Sequence, residues 1–231
     1  MIILAIDTAL DASSAAVLDT DTGNTLAIES QTMQRGHAEA LMPLIGRVMK
    51  ASGIGFTALD RIAVTTGPGS FTGLRVGLSA ARGIALAAAK PIVGLSTLAA
   101  YAAPLVAENG AHPILSAIDA RHDHVYFQIV AGDGSQLVRP KIAPIDEAIA
   151  ASQFGAPHLV GNAANLLAER WSRDLPPPLT IDAQPAPDIG WVAWLGAAAN
   201  PDTNPARPFY LKAPDAKPAA QPLFTAQAES S

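Results

Sequence analysis

A chain of 231 residues, 49% apolar and 15% charged, is long enough for one large domain or two small ones sharing an interface, and too apolar to be disordered. Its net charge of −5 and lack of any basic run give this chain alone no grip on a nucleic-acid backbone, and the absence of cysteine excludes disulfides and thiolate zinc sites. The apolar opening MIILAIDTAL has no basic flank and meets Asp7 early, so a buried first strand is expected rather than a leader; the longest apolar runs fall short of a membrane span.

In chain order, IILAID (2–7), SSAAVLD (13–19) and TLAIESQ (25–31) are separated by turn signals and predict three strands in an antiparallel meander. A helix is expected from His37 to Ser52, with Pro43 tolerated near its start. DRIAVTTGPG predicts a fourth strand running into a glycine loop, followed by a long helix that Lys90-Pro91 ends. PIVGLS and STLAAYAAPLVAE add a strand and a helix, so the first hundred residues spell βββαβαβα. A second, degenerate half follows. Strands PILSAID, HVYFQIV and LVRPKIA lead to a short helix PIDEAIAAS, a strand PHLVG, a helix NAANLLAERW and a Pro-rich irregular stretch DLPPPLTIDAQPAPD. The apolar helix IGWVAWLGAAAN is expected to return to the first half. The expected division is a first lobe over 1–100, a smaller second lobe over 101–188, a returning helix and extended piece over 189–212, and a frayed tail over 213–231. This is the layout of an α/β chain with an actin-like ATPase (RNase H-like) fold.

The stretch TTGPGSFTGLRVGLSAARGIALA (65–87) concentrates the functional signals. A glycine loop between a strand and a helix suits an anion, because backbone N–H groups point out at the positive end of the helix dipole. Yet Gly73 is followed by Leu74 and Arg75 where a P-loop needs Lys-Ser/Thr, and the G-x-G-x-x-G spacing also fails. The loop is either a nucleotide or anion site built from Asp7, Thr8, Gly67, Gly69 and Ser70, or a tight turn with Ser70 as N-cap. Asp7-Thr8 likewise fits a metal–phosphate contact or a capped turn.

At 100° per residue, Leu74, Leu78, Ala81, Ala85 and Ala88 make one apolar stripe of this helix, and Gly73, Gly77, Ala80 and Ile84 a second. The helix at 37–52 is doubled in the same way. Leu41, Leu44, Ile45 and Val48 form its core stripe, with Met42, Gly46 and Met49 beside it. Two such helices could both be buried in one core; in a chain this small a face shared with a partner is the preferred reading. The expected partner face comprises Met42, Ile45, Gly46, Met49, Gly73, Gly77, Ala80 and Ile84. The five histidines, His37, His112, His122, His124 and His158, show no metal-binding spacing, and Asp119 with Arg121 is an ion pair or a ligand contact at a strand end.

The motifs ILAIDTA…SSAAV, GHAEALMPLI, TTGPGSFTGLRVGLSAARGIA, IDARHDHVY and RPFYLK resemble the bacterial TsaB (YeaZ) family over about Ile2 to Lys212. The resemblance implies an actin-like two-lobed fold and a cytoplasmic role in making N6-threonylcarbamoyladenosine at adenosine 37 of tRNAs that read codons beginning with A. It further implies a non-catalytic subunit that pairs with its catalytic paralogue TsaD, pairs with itself when alone, is joined by the ATPase TsaE, and meets tRNA only through the complex. No cofactor of its own is implied, although adenine nucleotide can occupy the partner interface. TsaD carries a metal-binding H-x-x-x-H motif; here the sequence beginning at His37 has Leu41 in the second position. A different class of function, an ATP-using phosphotransferase or a zinc (M22-like) peptidase, would need Asp7, Thr8 and the glycine loop to form an active site of this chain's own.

Overall fold

The structure, a computed structural model, describes residues 1–108 and 110–211. The expected tail over 213–231, and Lys212 before it, lie outside the described residues. Strands β1 (Ile2–Asp7), β2 (Ala12–Asp19) and β3 (Asn24–Thr32) are followed by α1 (His37–Ser52), a short 3-10 turn (Phe56–Ala58), β4 (Arg61–Gly67), α2 (Phe71–Ala88), β5 (Ile92–Ser96) and α3 (Thr97–Ala107). Then come β6 (Ile114–Arg121), β7 (His124–Val130), β8 (Gln136–Pro144), α4 (Ile145–Ala150), β9 (His158–Val160), α5 (Ala164–Glu169), β10 (Thr180–Asp182) and α6 (Ile189–Ala198).

The first sheet has the order β3-β2-β1-β4-β5, and the second the order β10-β9-β6-β7-β8. Written from the other edge, the second is β8-β7-β6-β9-β10, the same walk through the sheet. In each, a three-stranded antiparallel meander is extended by two strands parallel to its first. Two sheets of this order flanked by helices are the actin-like arrangement.

Strand β1 is apolar at every position before Asp7, which requires cover on both faces. Leu4 and Ile6 point to one side and pack with Leu41, Leu44, Ile45 and Val48 of α1 and Leu78, Ala81 and Ala85 of α2. Ile3 and Ala5 point to the other side and meet Ile189, Val192 and Ala193 of α6, the returning helix. Arg61 at the start of β4 locks that return: its Nη1 donates to the carbonyls of Gly196 (2.8 Å), Ala197 (3.0 Å) and Ala199 (2.6 Å), a cation on the negative end of α6. The helices that follow β4 and β5 start on side-chain caps. Ser70 accepts from the Gly73 amide to open α2, and Ser96 from the Ala99 amide to open α3.

In the second lobe Leu115, Ala117, Val125 and Phe127 pack under α4 and α5. The opposite face, with Ile114, Ile118 and Val160, packs on Leu98, Tyr101 and Ala102 of α3 and on Ala9, Leu10 and Leu74 of the first lobe. The space between the lobes is therefore filled by an apolar cluster at this point. Strand β10, inside the stretch expected to be irregular, is three exposed residues long, too short to carry any alternation. Among the described residues no helix is long and apolar enough to cross a membrane.

Candidate functional site

Two regions carry the expected site residues. The first lies where β1 ends against β4 and the start of α2. Asp7 and Thr8 are fully buried there. Asp7 Oδ1 accepts from the Thr65 hydroxyl and from the Ala9 amide (3.1 Å), while Oδ2 has no hydrogen-bond partner. Burial is the main influence on this carboxyl and pushes its pKa up to about 6, against the opposing pull of the Thr65 and backbone hydrogen bonds. Thr8 Oγ1 donates to the Gly73 carbonyl at 2.7 Å, tying β1 to the first turn of α2.

The structure brings Asp7, Thr8, Gly67, Gly69 and Ser70 together at a tight turn, with Ser70 as the N-cap of α2. Three donors of the loop and the first helical turn are used inside the fold. The Ser70 amide donates to Ala9 O (2.7 Å), the Gly73 amide to Ser70 Oγ (3.3 Å) and the Leu74 amide to Ser70 O (2.9 Å). The spaces beside the glycines are filled by the chain's own backbone. A Cβ on Gly69 would run into Ala9 O, and one on Gly67 would lie 2.8 Å from Phe209 O. Gly67 also has φ +117, which L side chains rarely adopt, so both geometry and space demand glycine there. The result is a capped strand-to-helix turn around a buried acid that solvent does not reach.

Gly73 and Gly77 require a correction. They were expected on a face shared with a partner, yet both are buried, and a Cβ on either would collide with Thr8, at its carbonyl oxygen and its Oγ1 respectively. Their purpose is the close approach of α2 to the end of β1. Ile45, Met49 and Ile84 are likewise core residues, at 0%, 5% and 8% exposure, because they lie on the faces of α1 and α2 that pack on the sheet.

The outward surface of the same two helices is the second region. Met42 is 51% exposed, Gly46 is exposed with nothing within 4 Å of a Cβ placed there, and Ala80 is half-buried. Between α1 and α2 runs a groove of about 520 Å³ lined by Ala38, Met42, Phe71, Arg75, Val76 and Ala80. It continues across Ser79 and Ala80 into a second hollow of about 430 Å³ bordered by Phe56, Gly83 and Ala87. Of the expected partner residues, Met42, Gly46 and Ala80 reach the outer surface of these helices; Phe71, Arg75, Val76, Gly83 and Ala87, which also line the two hollows, were not among those expected. The true outer stripe of α2 is Thr72, Val76, Ser79, Ala80, Gly83 and Ala87, one residue round from the one assigned by glycine spacing. Phe71 at the first helical position and Leu86, 85% exposed among alanines, are the signals that could have set the phase.

Other candidates make contacts within their own lobe. His37 is buried and its Nδ1 lies 2.9 Å from Ser13 Oγ, while Leu41 sits in the core. His124 Nδ1 donates to the His122 carbonyl, and Asp119 Oδ1 accepts the Arg121 amide (2.7 Å) in a hairpin where Arg121, His122 and Asp123 all have positive φ. Arg170 pairs with Asp123 beside it (2.7 Å). Among the described residues no three His, Asp or Glu side chains converge to hold a metal.

Comparison with known proteins agrees with this geometry. Residues 26–180 match the family model described as TsaD, tRNA N6-adenosine threonylcarbamoyltransferase. The chain is 40% identical over 127 residues to the tRNA threonylcarbamoyladenosine biosynthesis protein TsaB of Escherichia coli K12, covering 55% of this chain and 54% of that protein. The chain thus spans about half the length of the curated TsaB proteins it matches, 55% in the case of Haemophilus influenzae TsaB. An uncharacterized Mycobacterium tuberculosis protein is 32% identical over 221 residues, covering 94% of this chain and 95% of its own length. The crystal structure of YeaZ from Pseudomonas aeruginosa superposes with a TM-score of 0.70 at 26% identity, over 91% of this chain and 99% of that one. Motifs, sheet order and these matches together place the chain in the TsaB (YeaZ) family.

Proposed function

We propose that the chain is a non-catalytic scaffold subunit of the cytoplasmic machinery that makes N6-threonylcarbamoyladenosine at adenosine 37 of tRNAs reading codons beginning with A. It acts by heterodimerisation with the catalytic paralogue, TsaD, through the outer face of α1 and α2. The observation that carries this reading is the continuous apolar groove between those helices, with Met42 and Phe71 half exposed on a surface that a folded monomer has no reason to leave bare. In the absence of TsaD the same face pairs two copies of this chain. Any adenine nucleotide, the TsaE ATPase and the tRNA are met by the assembly, with catalysis on the partner's side.

The alternative, an ATP-using phosphotransferase or zinc peptidase, has less support, since Asp7 is sealed from solvent and the glycine loop is occupied by Ala9 and Phe209. The test is reconstitution of the tRNA modification from purified subunits with and without this chain. Modification is expected to be lost on omission and on Met42→Glu, with the variant still folded by circular dichroism. Full modification by a complex carrying Met42→Glu would sink the docking assignment, and turnover of ATP by this chain alone that Asp7→Asn abolishes would favour the alternative.

A further inference from the structure

The groove ends at a feature that does not belong to either helix. After α6 the chain turns at Asn200, whose carbonyl accepts from the Thr203 and Asn204 amides, and then runs as a strap over residues 204–210 across the middle of β5 and the end of β4 to the start of α2. Its attachments are specific. The Gly94 amide of β5 donates to Asn204 O at 2.9 Å, and the Phe209 amide donates to Thr66 O of β4 at 2.8 Å. Arg82 of α2 grips the Ala206 carbonyl with both Nε (3.0 Å) and Nη2. Ala206 itself is buried in the α1/α2 core.

Glycines mark the crossings. A Cβ on Gly94 would lie 2.6 Å from Pro205 O and 2.9 Å from Ala206 Cα, and the one on Gly67 would lie 2.8 Å from Phe209 O. The β4–β5 end of the sheet is shaped to take this strap. At its far end Tyr210 sits with its ring 5.5 Å from that of Phe71, and Arg75 Cζ lies 3.8 Å from the centroid of the same Phe71 ring. Phe71 and Arg75 line the groove; Tyr210 touches it only through Phe71.

We infer that the strap over residues 204–210 is a built-in part of the docking surface, with Tyr210 a positioning residue that holds Phe71 and Arg75 as the end wall of the α1/α2 groove. The inference rests on the docking face proposed above, and the occupant is the same one, the paralogous catalytic chain. Continuity decides this: the ring that Tyr210 supports is itself groove lining. Binding that orders Phe71 also favours the seated strap, so seating and docking stabilise each other.

The experiment measures affinity for purified TsaD by calorimetry, with four variants of the full chain, alongside hydrogen exchange at the Gly94 and Phe209 amides. Tyr210→Ala is expected to weaken binding about tenfold, the scale of one aromatic contact, and Tyr210→Phe to restore it. Gly94→Val, placed on β5 away from the groove, is expected to unseat the strap and weaken binding to a similar extent. TsaD is expected to slow exchange at Phe209 in the wild-type chain. Wild-type affinity in Tyr210→Ala, or unchanged exchange at Phe209 on saturation with TsaD, overturns the inference. Met42→Glu separates the two levels: if it abolishes binding while Tyr210→Ala does not weaken it, the docking face stands and the strap's role falls; if Met42→Glu binds normally, both fall.

Discussion

The two lobes follow one strand order and end up with different surfaces. In the first, α1 and α2 run for 16 and 18 residues, and the parallel strands β4 and β5 for 7 and 5. In the second, their counterparts α4 and α5 have 6 residues each, and β9 and β10 have 3 each. A helix of six residues spans under two turns, enough to cover a sheet with one apolar stripe and too short to present a second. The helices of the first lobe are long enough to do both. They bury Leu41, Leu44, Leu78 and Ala81 inward and still offer Met42, Val76, Ala80 and Gly83 outward. The same topology thus gives a closed core in one half and, in the other, a second outward apolar face, the docking platform proposed above, with helix length making the difference.

Four measurements would break or sharpen that contrast. The largest effect is expected inside the first lobe, where α2 approaches β1. Gly73→Val drives a side chain into the Thr8 carbonyl and should cost about 3 kcal/mol or more in urea unfolding, enough to unfold much of the population. A variant of near wild-type stability would show that α2 can slide away from Thr8. Next in size is the outer face. Ala80→Glu in the groove is expected to weaken TsaD association at least a hundredfold, about 2.7 kcal/mol, with little change in thermal midpoint. Its control is Phe154→Glu, a 46% exposed aromatic of the second lobe, which should bind as wild type. Equal losses in the two would abolish the distinction between platform and core lobe.

The third concerns Asp7. Its pKa of about 6 in the folded chain lies above the ordinary 3.8, so between those values the folded state holds a proton that the unfolded state has released. Stability from this group is therefore present below about pH 4 and is lost as pH rises through 6. Asp7→Asn should flatten that part of the stability–pH curve from urea titrations; an unaltered slope would mean that the carboxyl titrates normally. The smallest effect is at Gly83, where a Cβ meets nothing within 4 Å. Gly83→Ala should stabilise the helix by up to about 1 kcal/mol in the same urea assay, whereas loss of stability would mean that the open hollow beside it is not real.

Much of the architecture was legible from residue patterns. The all-apolar run before Asp7, the turn signals DTGN and ARHD, and the helix limits at His37 and Ser52 correspond to elements with nearly the same bounds. The platform was legible only in part. Of the residues expected on a partner face, Met42 and Gly46 are exposed and Ala80 is half-buried, while Gly73, Gly77, Ile45, Met49 and Ile84 turned out to face inward. The error has one cause. Glycine spacing on a helix says that something comes close, and it does not say from which side; here the close element is Thr8 of the same chain. The strap was legible only as an extended RPFYLK, because a segment held through its own backbone, by the Arg82 side chain, the Gly94 amide and the Thr66 carbonyl, leaves no periodic mark.

The sequence alone determined the strand order's raw material, the family and the two helices that matter, since hydrophobic period and motif spacing are local properties. Which face of each helix is buried, what fills the glycine loop and where the C-terminal segment lands were decided by the tertiary structure. Those outcomes depend on contacts between residues as far apart as Thr8 and Gly73, or Arg82 and Ala206, and no local pattern encodes which partner arrives.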